Sequence, residues 1–115
     1  MTSNSNSKSK TYNFSGKVWK YKGQAGWHFI TLPKKLSIEI RKSHGNDEEG
    51  WGRLKTLAKI GGSEWKTAIW YDSKIDAYLL PVKSQIRKVE GIKLDSKIQV
   101  ILQLEESHRM GLRFR

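Results

Sequence analysis

The chain has 115 residues and a mass of 13.3 kDa, enough for one domain with a buried core and too short for two. It has no cysteine, which excludes disulfides, cysteine-ligated zinc, iron–sulfur clusters and thiol catalysis. Lys and Arg number 22 against 11 Asp and Glu, and a net charge of +11 points to anionic partners, nucleic acid foremost.

No apolar run approaches the roughly 20 residues of a membrane span, and Met1 to Lys10 lacks the apolar stretch of a secretory signal. The expectation is a cytoplasmic chain without a membrane partner. Residues 1–10 are Ser/Asn/Lys low complexity and are expected to be disordered. Residues 107–115 form a poorly patterned basic tail. The two tails hold +2 and +3 of the charge, leaving +6 for a single domain over residues 11–106.

In chain order, Tyr12 to Lys22 alternates aromatic or apolar residues with polar ones. Tyr12, Phe14, Gly16 and Val18 share one parity while Trp19 and Tyr21 stand on the other, and that switch of face points to a bulge or bend in a long strand. A turn over residues 22–26 leads to a second strand, Trp27 to Leu32. Pro33 follows as the first residue of a short helix running to Ser43, with Leu36 and Ile40 facing inward. His44 to Gly50 reads as an acidic loop.

Trp51 to Ile60 and Ser63 to Tyr71 flank Gly61-Gly62, a two-residue hairpin signal. That turn sets the register. Leu54, Thr56, Ala58 and Ile60 face Ile69, Thr67, Trp65 and Ser63 on the expected core side. Arg53, Lys55, Leu57 and Lys59 face Trp70, Ala68, Lys66 and Glu64 on the solvent side. Ile75 to Leu80 is a further strand, followed by a helix from Pro81 to Glu90 with Val82, Ile86 and Val89 on one face and Gly91 closing it. Lys97 to Leu104 is the last strand, with Ile98, Val100, Leu102 and Leu104 on its core side. Leu32-Pro33 and Leu80-Pro81 open two similar strand–Pro–helix units. The predicted fold is therefore mainly β: a small closed (split) β-barrel with two short helices and a pseudo-two-fold repeat.

The segments Gly50-Trp51-Gly52, Ile60-Gly61-Gly62, Trp65-Lys66-Thr67-Ala68 and Tyr78-Leu79-Leu80-Pro81-Val82-Lys83 through Ile86-Arg87-Lys88 occur in this order. With Phe14, Gly26-Trp27-His28-Phe29 and Leu32-Pro33, they resemble the domain-of-unknown-function 1905 family over residues 12–104. The resemblance implies a small closed β-barrel akin to AbrB-like split barrels, and it brings no activity with it. Ile75-Asp76-Ala77 and Asp95-Ser96 stand where the family usually has glycine-containing turns, which puts the geometry of those two loops in question.

No catalytic constellation is visible. His28, His44 and His108 lack ligand spacing, and Gly61-Gly62-Ser63 joins two strands without the Lys of a phosphate loop. Asp47, Glu48 and Glu49 read as a solvated loop, and Asp72 and Asp76 as turn residues. No cofactor or metal is implied.

Two surfaces remain. The first is basic and aromatic: Arg53, Lys55 and Lys66 with Trp51 and Trp70, supplemented by Lys17, Lys20 and Lys22 beside Trp19 and Tyr21. Bases stack on such rings while cations hold phosphates. The same residues also suit an ordinary barrel exterior, with Arg53 stacked on Trp70 and Lys59 paired with Glu64. The second surface is the start of the second helix, where Lys83 and Arg87 with Trp65 as a wall would hold an anion, unless Arg87 pins a loop carbonyl or a carboxylate. The expected function is a non-catalytic binding module with DNA or RNA as its ligand. The alternative is a barrel that binds a small anionic ligand or a protein partner at the edge of the second helix.

Overall fold

The computed structural model describes residues 9–23, 26–48 and 52–105. The expectations placed on residues 1–8, on Trp51 and on 106–115, His108 included, fall outside them.

The strands are β1 (Ser9–Lys20), β2 (His28–Thr31), β3 (Arg53–Ile60), β4 (Ser63–Asp72), β5 (Ala77–Pro81) and β6 (Lys97–Glu105). They close into an antiparallel barrel in the order β1-β2-β5-β4-β3-β6. Two helices, α1 (Lys34–His44) and α2 (Ser84–Glu90), follow β2 and β5. The expected mainly-β closed barrel with two short helices is the fold observed. The two Leu-Pro strands lie side by side, Ile30 opposite Leu80, with the Leu32 N–H donating to the Tyr78 carbonyl at 2.9 Å.

Alternation sets the core. Tyr12, Phe14 and Val18 of β1 point inward, as do Ile30, Leu54, Ala58, Ile69, Tyr78, Leu80, Val100 and Leu102. The Gly61-Gly62 hairpin has the expected register, Leu54 opposite Ile69 and Lys55 opposite Ala68. Gly61 supplies the positive φ (+59°) that this turn requires.

Several local expectations give way. β1 starts at Ser9 and takes in the last two residues of the segment read as a disordered tail. β6 extends to Glu105 and supplies partners as far as Ser9, so those two residues join the ladder. Trp19 and Tyr21 do not mark a change of core face. The inward parity runs unbroken from Tyr12 to Val18, and the two rings stand on the outside.

Pro33 caps α1 instead of starting it, and the helix runs on to His44. His44 is buried, its Nε2 3.2 Å from the Tyr12 hydroxyl, so it belongs to the core and not to an acidic loop. Ile75 lies in the Asp72–Asp76 turn, where the Lys74 N–H donates to Asp72 Oδ1 at 3.0 Å, and β5 begins only at Ala77. Ile98 is half-buried against the core instead of inside it.

Pro81 does not begin the second helix. It ends β5 opposite Phe29, and the next N–H, that of Val82, donates to the His28 carbonyl at 2.9 Å. The ladder with β2 claims this backbone, so α2 starts three residues later and has only two turns. Val82 is buried as an extension of β5 and Ile86 as the inward residue of the helix, while Val89 is 70% exposed and leaves the expected stripe. Gly91, at φ +65°, ends α2 in the left-handed conformation, and the Ile92 N–H returns to the Arg87 carbonyl at 2.9 Å.

Candidate nucleic-acid interface

The outer positions of the barrel are those alternating with the core residues. On β3 and β4 they place Arg53 opposite Trp70, the guanidinium 5.7 Å from the ring centroid. That cation–π contact is the one expected of an ordinary exterior. Lys55 and Lys66 are exposed on the same side. Lys59 and Glu64 are register partners but do not come within 4.0 Å as an ion pair. Ala68 shares this outer side yet is buried.

Register carries the row further than the hairpin. Arg53 faces Trp70, Trp70 faces Leu79 of β5, and Leu79 faces Thr31 of β2. The Thr31 hydroxyl accepts the indole N–H of Trp19 on β1 at 2.9 Å. One lateral chain of contacts thus links the sequence-derived cations of β3 and β4 to the aromatic residues of β1.

Those residues meet others that sequence reasoning did not place with them. Trp19 packs on Phe29 at 5.3 Å between centroids, Tyr21 meets the same ring edge-on at 6.4 Å, and Trp27 stacks on it at 5.9 Å and 11°. The signal was available in the pairing. Once Val18 faces Ile30, Trp19 faces Phe29, and Tyr21 comes opposite Trp27 through a 2.8 Å bond from its N–H to the Trp27 carbonyl. A turn of this length does not announce its register, so the cluster emerges only with the fold.

The second surface is built differently from expectation. Lys83 is exposed at the N-cap of α2, where its side chain makes no capping bond. Arg87 is half-buried; its Nε donates to the Val82 carbonyl at 3.1 Å and its Nη1 lies 3.4 Å from His28 Nε2. It therefore pins a loop carbonyl. Neither Glu90 nor Asp95 pairs with it; Glu90 instead accepts from the Ser63 hydroxyl at 2.5 Å. Trp65 faces the barrel interior opposite Ala58 and is only 8% exposed, so core packing occupies the ring that would have walled an anion site.

A third cluster, at α1, was not anticipated. The Arg41 guanidinium lies 3.7 Å over the Tyr71 ring, and its Nε is 3.7 Å from Glu48 Oε2. Glu48 accepts from the Tyr78 hydroxyl at 2.5 Å. Burial of Tyr78, then the hydrogen bond and charge of Glu48, push its phenol well above the ordinary tyrosine range, against a smaller opposing effect of Arg41. Ser37, Ile38, Arg41, Lys42, Tyr71 and Asp76 line a shallow hollow of about 290 Å³ beside this cluster.

A small closed six-stranded antiparallel barrel with a basic and aromatic exterior defines the class. The chain belongs to the DUF1905 family, described as a domain of unknown function, which it matches over residues 14–102. The comparison with curated proteins returns no match. Among the described residues no helix is long and apolar enough to cross a membrane.

Proposed function

We propose that the protein is a non-catalytic nucleic-acid-binding module that holds DNA or RNA against the outside of its barrel. The observation that carries this reading is the lateral row from Arg53 through Trp70, Leu79 and Thr31 to Trp19, with Lys55 and Lys66 exposed at one end and Lys17 at the other. Cations along such a row can meet phosphates, and rings between them bases or sugars.

Gel-shift and anisotropy titrations of the full chain with single- and double-stranded DNA and RNA, at two salt concentrations, test it. Binding weakens steeply with salt, as release of counterions from phosphates requires. Reversing Arg53, Lys55 and Lys66 to Glu removes most of the affinity and flattens the salt dependence. Replacing Lys8, Arg109, Arg113 and Arg115 by Ser leaves most of it in place. A triple reversal that binds as tightly as the parent refutes the barrel surface as the site.

A further inference from the structure

We infer that the aromatic cluster of the β1–β2 hairpin is a stacking station for the unpaired bases of single-stranded nucleic acid. This rests on the nucleic-acid reading above and narrows it to a ligand class and a place on the barrel.

Four aromatic rings gather on this hairpin. Phe29 lies in the middle, partly covered by Trp19 and Tyr21, and Trp27 is stacked nearly parallel to it. Trp27 and Tyr21 still keep 49% and 51% of their surfaces in solvent. A large half-exposed indole already in parallel stacking offers a continuation of the stack to any planar ring. Every base has such a π-face, but in a duplex its neighbours cover it.

The backbone that carries the indole is pinned before any ligand arrives. The Tyr21 N–H donates to the Trp27 carbonyl at 2.8 Å, and His28 Nδ1–H donates to the Gly26 carbonyl at 2.8 Å. Gly26 has φ +69°, which glycine adopts without strain. A ring on a pinned backbone and already stacked on Phe29 has less conformational entropy to lose on meeting a base than an unpacked one.

Charge selects the polymer. From Met1 to Ile38 the sequence contains no Asp or Glu, while Lys17, Lys20 and Lys22 stand exposed on and beside the hairpin. Trp, Tyr and Lys together also occur where proteins touch lipid headgroups. Here the described tip residues are Lys22, Gly23 and Gly26, and the most apolar ring, Phe29, is only half-exposed beneath the others. Nothing aliphatic projects from the tip among the described residues, so the cluster suits stacking better than insertion.

Fluorescence anisotropy with a labelled oligothymidylate, an abasic strand of the same length, a duplex of the same length, and vesicles of phosphatidylcholine with phosphatidylserine tests the inference. The parent chain binds the oligothymidylate more tightly than the abasic strand or the duplex. Trp27→Ala and Tyr21→Ala each weaken oligothymidylate binding about tenfold or more, the size of one lost base–aromatic stack. Both leave abasic binding unchanged, and Trp27→Phe retains most of the affinity. Melting curves of the two alanine variants that match the parent confirm that the effect is local.

Unchanged oligothymidylate binding by both alanine variants overturns the stacking station, as does equal affinity for abasic and natural strands, a preference for the duplex, or binding of vesicles alone. If binding survives in both alanine variants but is lost on reversing Arg53, Lys55 and Lys66, the station falls and the broader reading stands. If no nucleic acid binds even at low salt, both fall.

Discussion

Arg87 reaches across the barrel wall to His28: its Nη1 lies 3.4 Å from the imidazole Nε2 while its Nε donates to the Val82 carbonyl. With His28 Nδ1–H committed to the Gly26 carbonyl, Nε2 presents a lone pair to the guanidinium. Because the Val82 N–H in turn donates to the His28 carbonyl, the start of α2 and the β1–β2 hairpin form one hydrogen-bonded unit. The Gly26-Trp27-His28-Phe29 segment and the Tyr78-to-Lys88 segment meet at this contact, between two residues 59 apart in sequence.

Arg87→Ala accordingly lowers stability by about 1.5–3 kcal/mol, the scale of a lost hydrogen bond from a charged donor. A buried ion pair would cost more on truncation, and Arg87 has no carboxylate partner within 4.0 Å among the described residues. Urea unfolding of parent and variant measures the difference. A loss above about 3 kcal/mol would show that a carboxylate pairs with Arg87 after all.

Gly16 lies where β1 passes from β6 to β2, and a Cβ there would stand 2.7 Å from Ile30 Cγ2 and 3.2 Å from the Thr31 carbonyl oxygen. Gly16→Ala overpacks this crossing and destabilises by about 1–3 kcal/mol. Combined with Ile30→Ala, which removes the clashing methyl, it costs less than the sum of the two single changes. Additive costs in a double-mutant cycle would place the strain elsewhere.

The hairpin register makes an asymmetric prediction. Leu54 is buried against Ile69, so Leu54→Ala costs about 2–5 kcal/mol. Lys66, exposed on the other side of the same sheet, tolerates Ala within about 0.5 kcal/mol. Thermal or urea unfolding of the two variants compares them, and equal costs would indicate that the core side has been misassigned.

Tyr78 gives the protein an alkaline limit. In the unfolded chain its phenol ionises near the ordinary value of about 10, whereas burial and Glu48 hold the folded phenol protonated well above that. Below this pH both states keep the proton and stability is unaffected by it. Above it the unfolded state loses the proton first, so stability falls as pH rises. Melting temperatures measured across this range fall less steeply for Tyr78→Phe than for the parent. Parallel slopes would assign the alkaline loss to other groups.

Much of the fold was legible because its rules are local. Leu54, Thr56, Ala58 and Ile60 alternate with charged residues, and Gly61-Gly62 leaves Ser63 one possible partner, Ile60. Two residues of loop determine sixteen residues of register, and that register also brought Arg53 to Trp70. The exterior of β3 and β4 could therefore be drawn before the barrel was known.

What remained depended on neighbours distant in sequence. Pro81 suits either the end of a strand or the first turn of a helix, since both accept its φ; the His28 carbonyl decided for the strand by taking the Val82 N–H. His44 is a polar residue at the end of a basic helix, and Tyr12, on a strand 32 residues earlier, offers it a hydrogen-bond partner in the core. Trp19, Tyr21, Trp27 and Phe29 carry no mark of belonging together, because the turn between them does not set a register by its length. Periodicity tells which side of an element is buried, since that is settled within a few residues. Which elements lie side by side is settled by the closure of the barrel, where every strand must find two partners at once, and that condition is met by the whole chain and by no part of it.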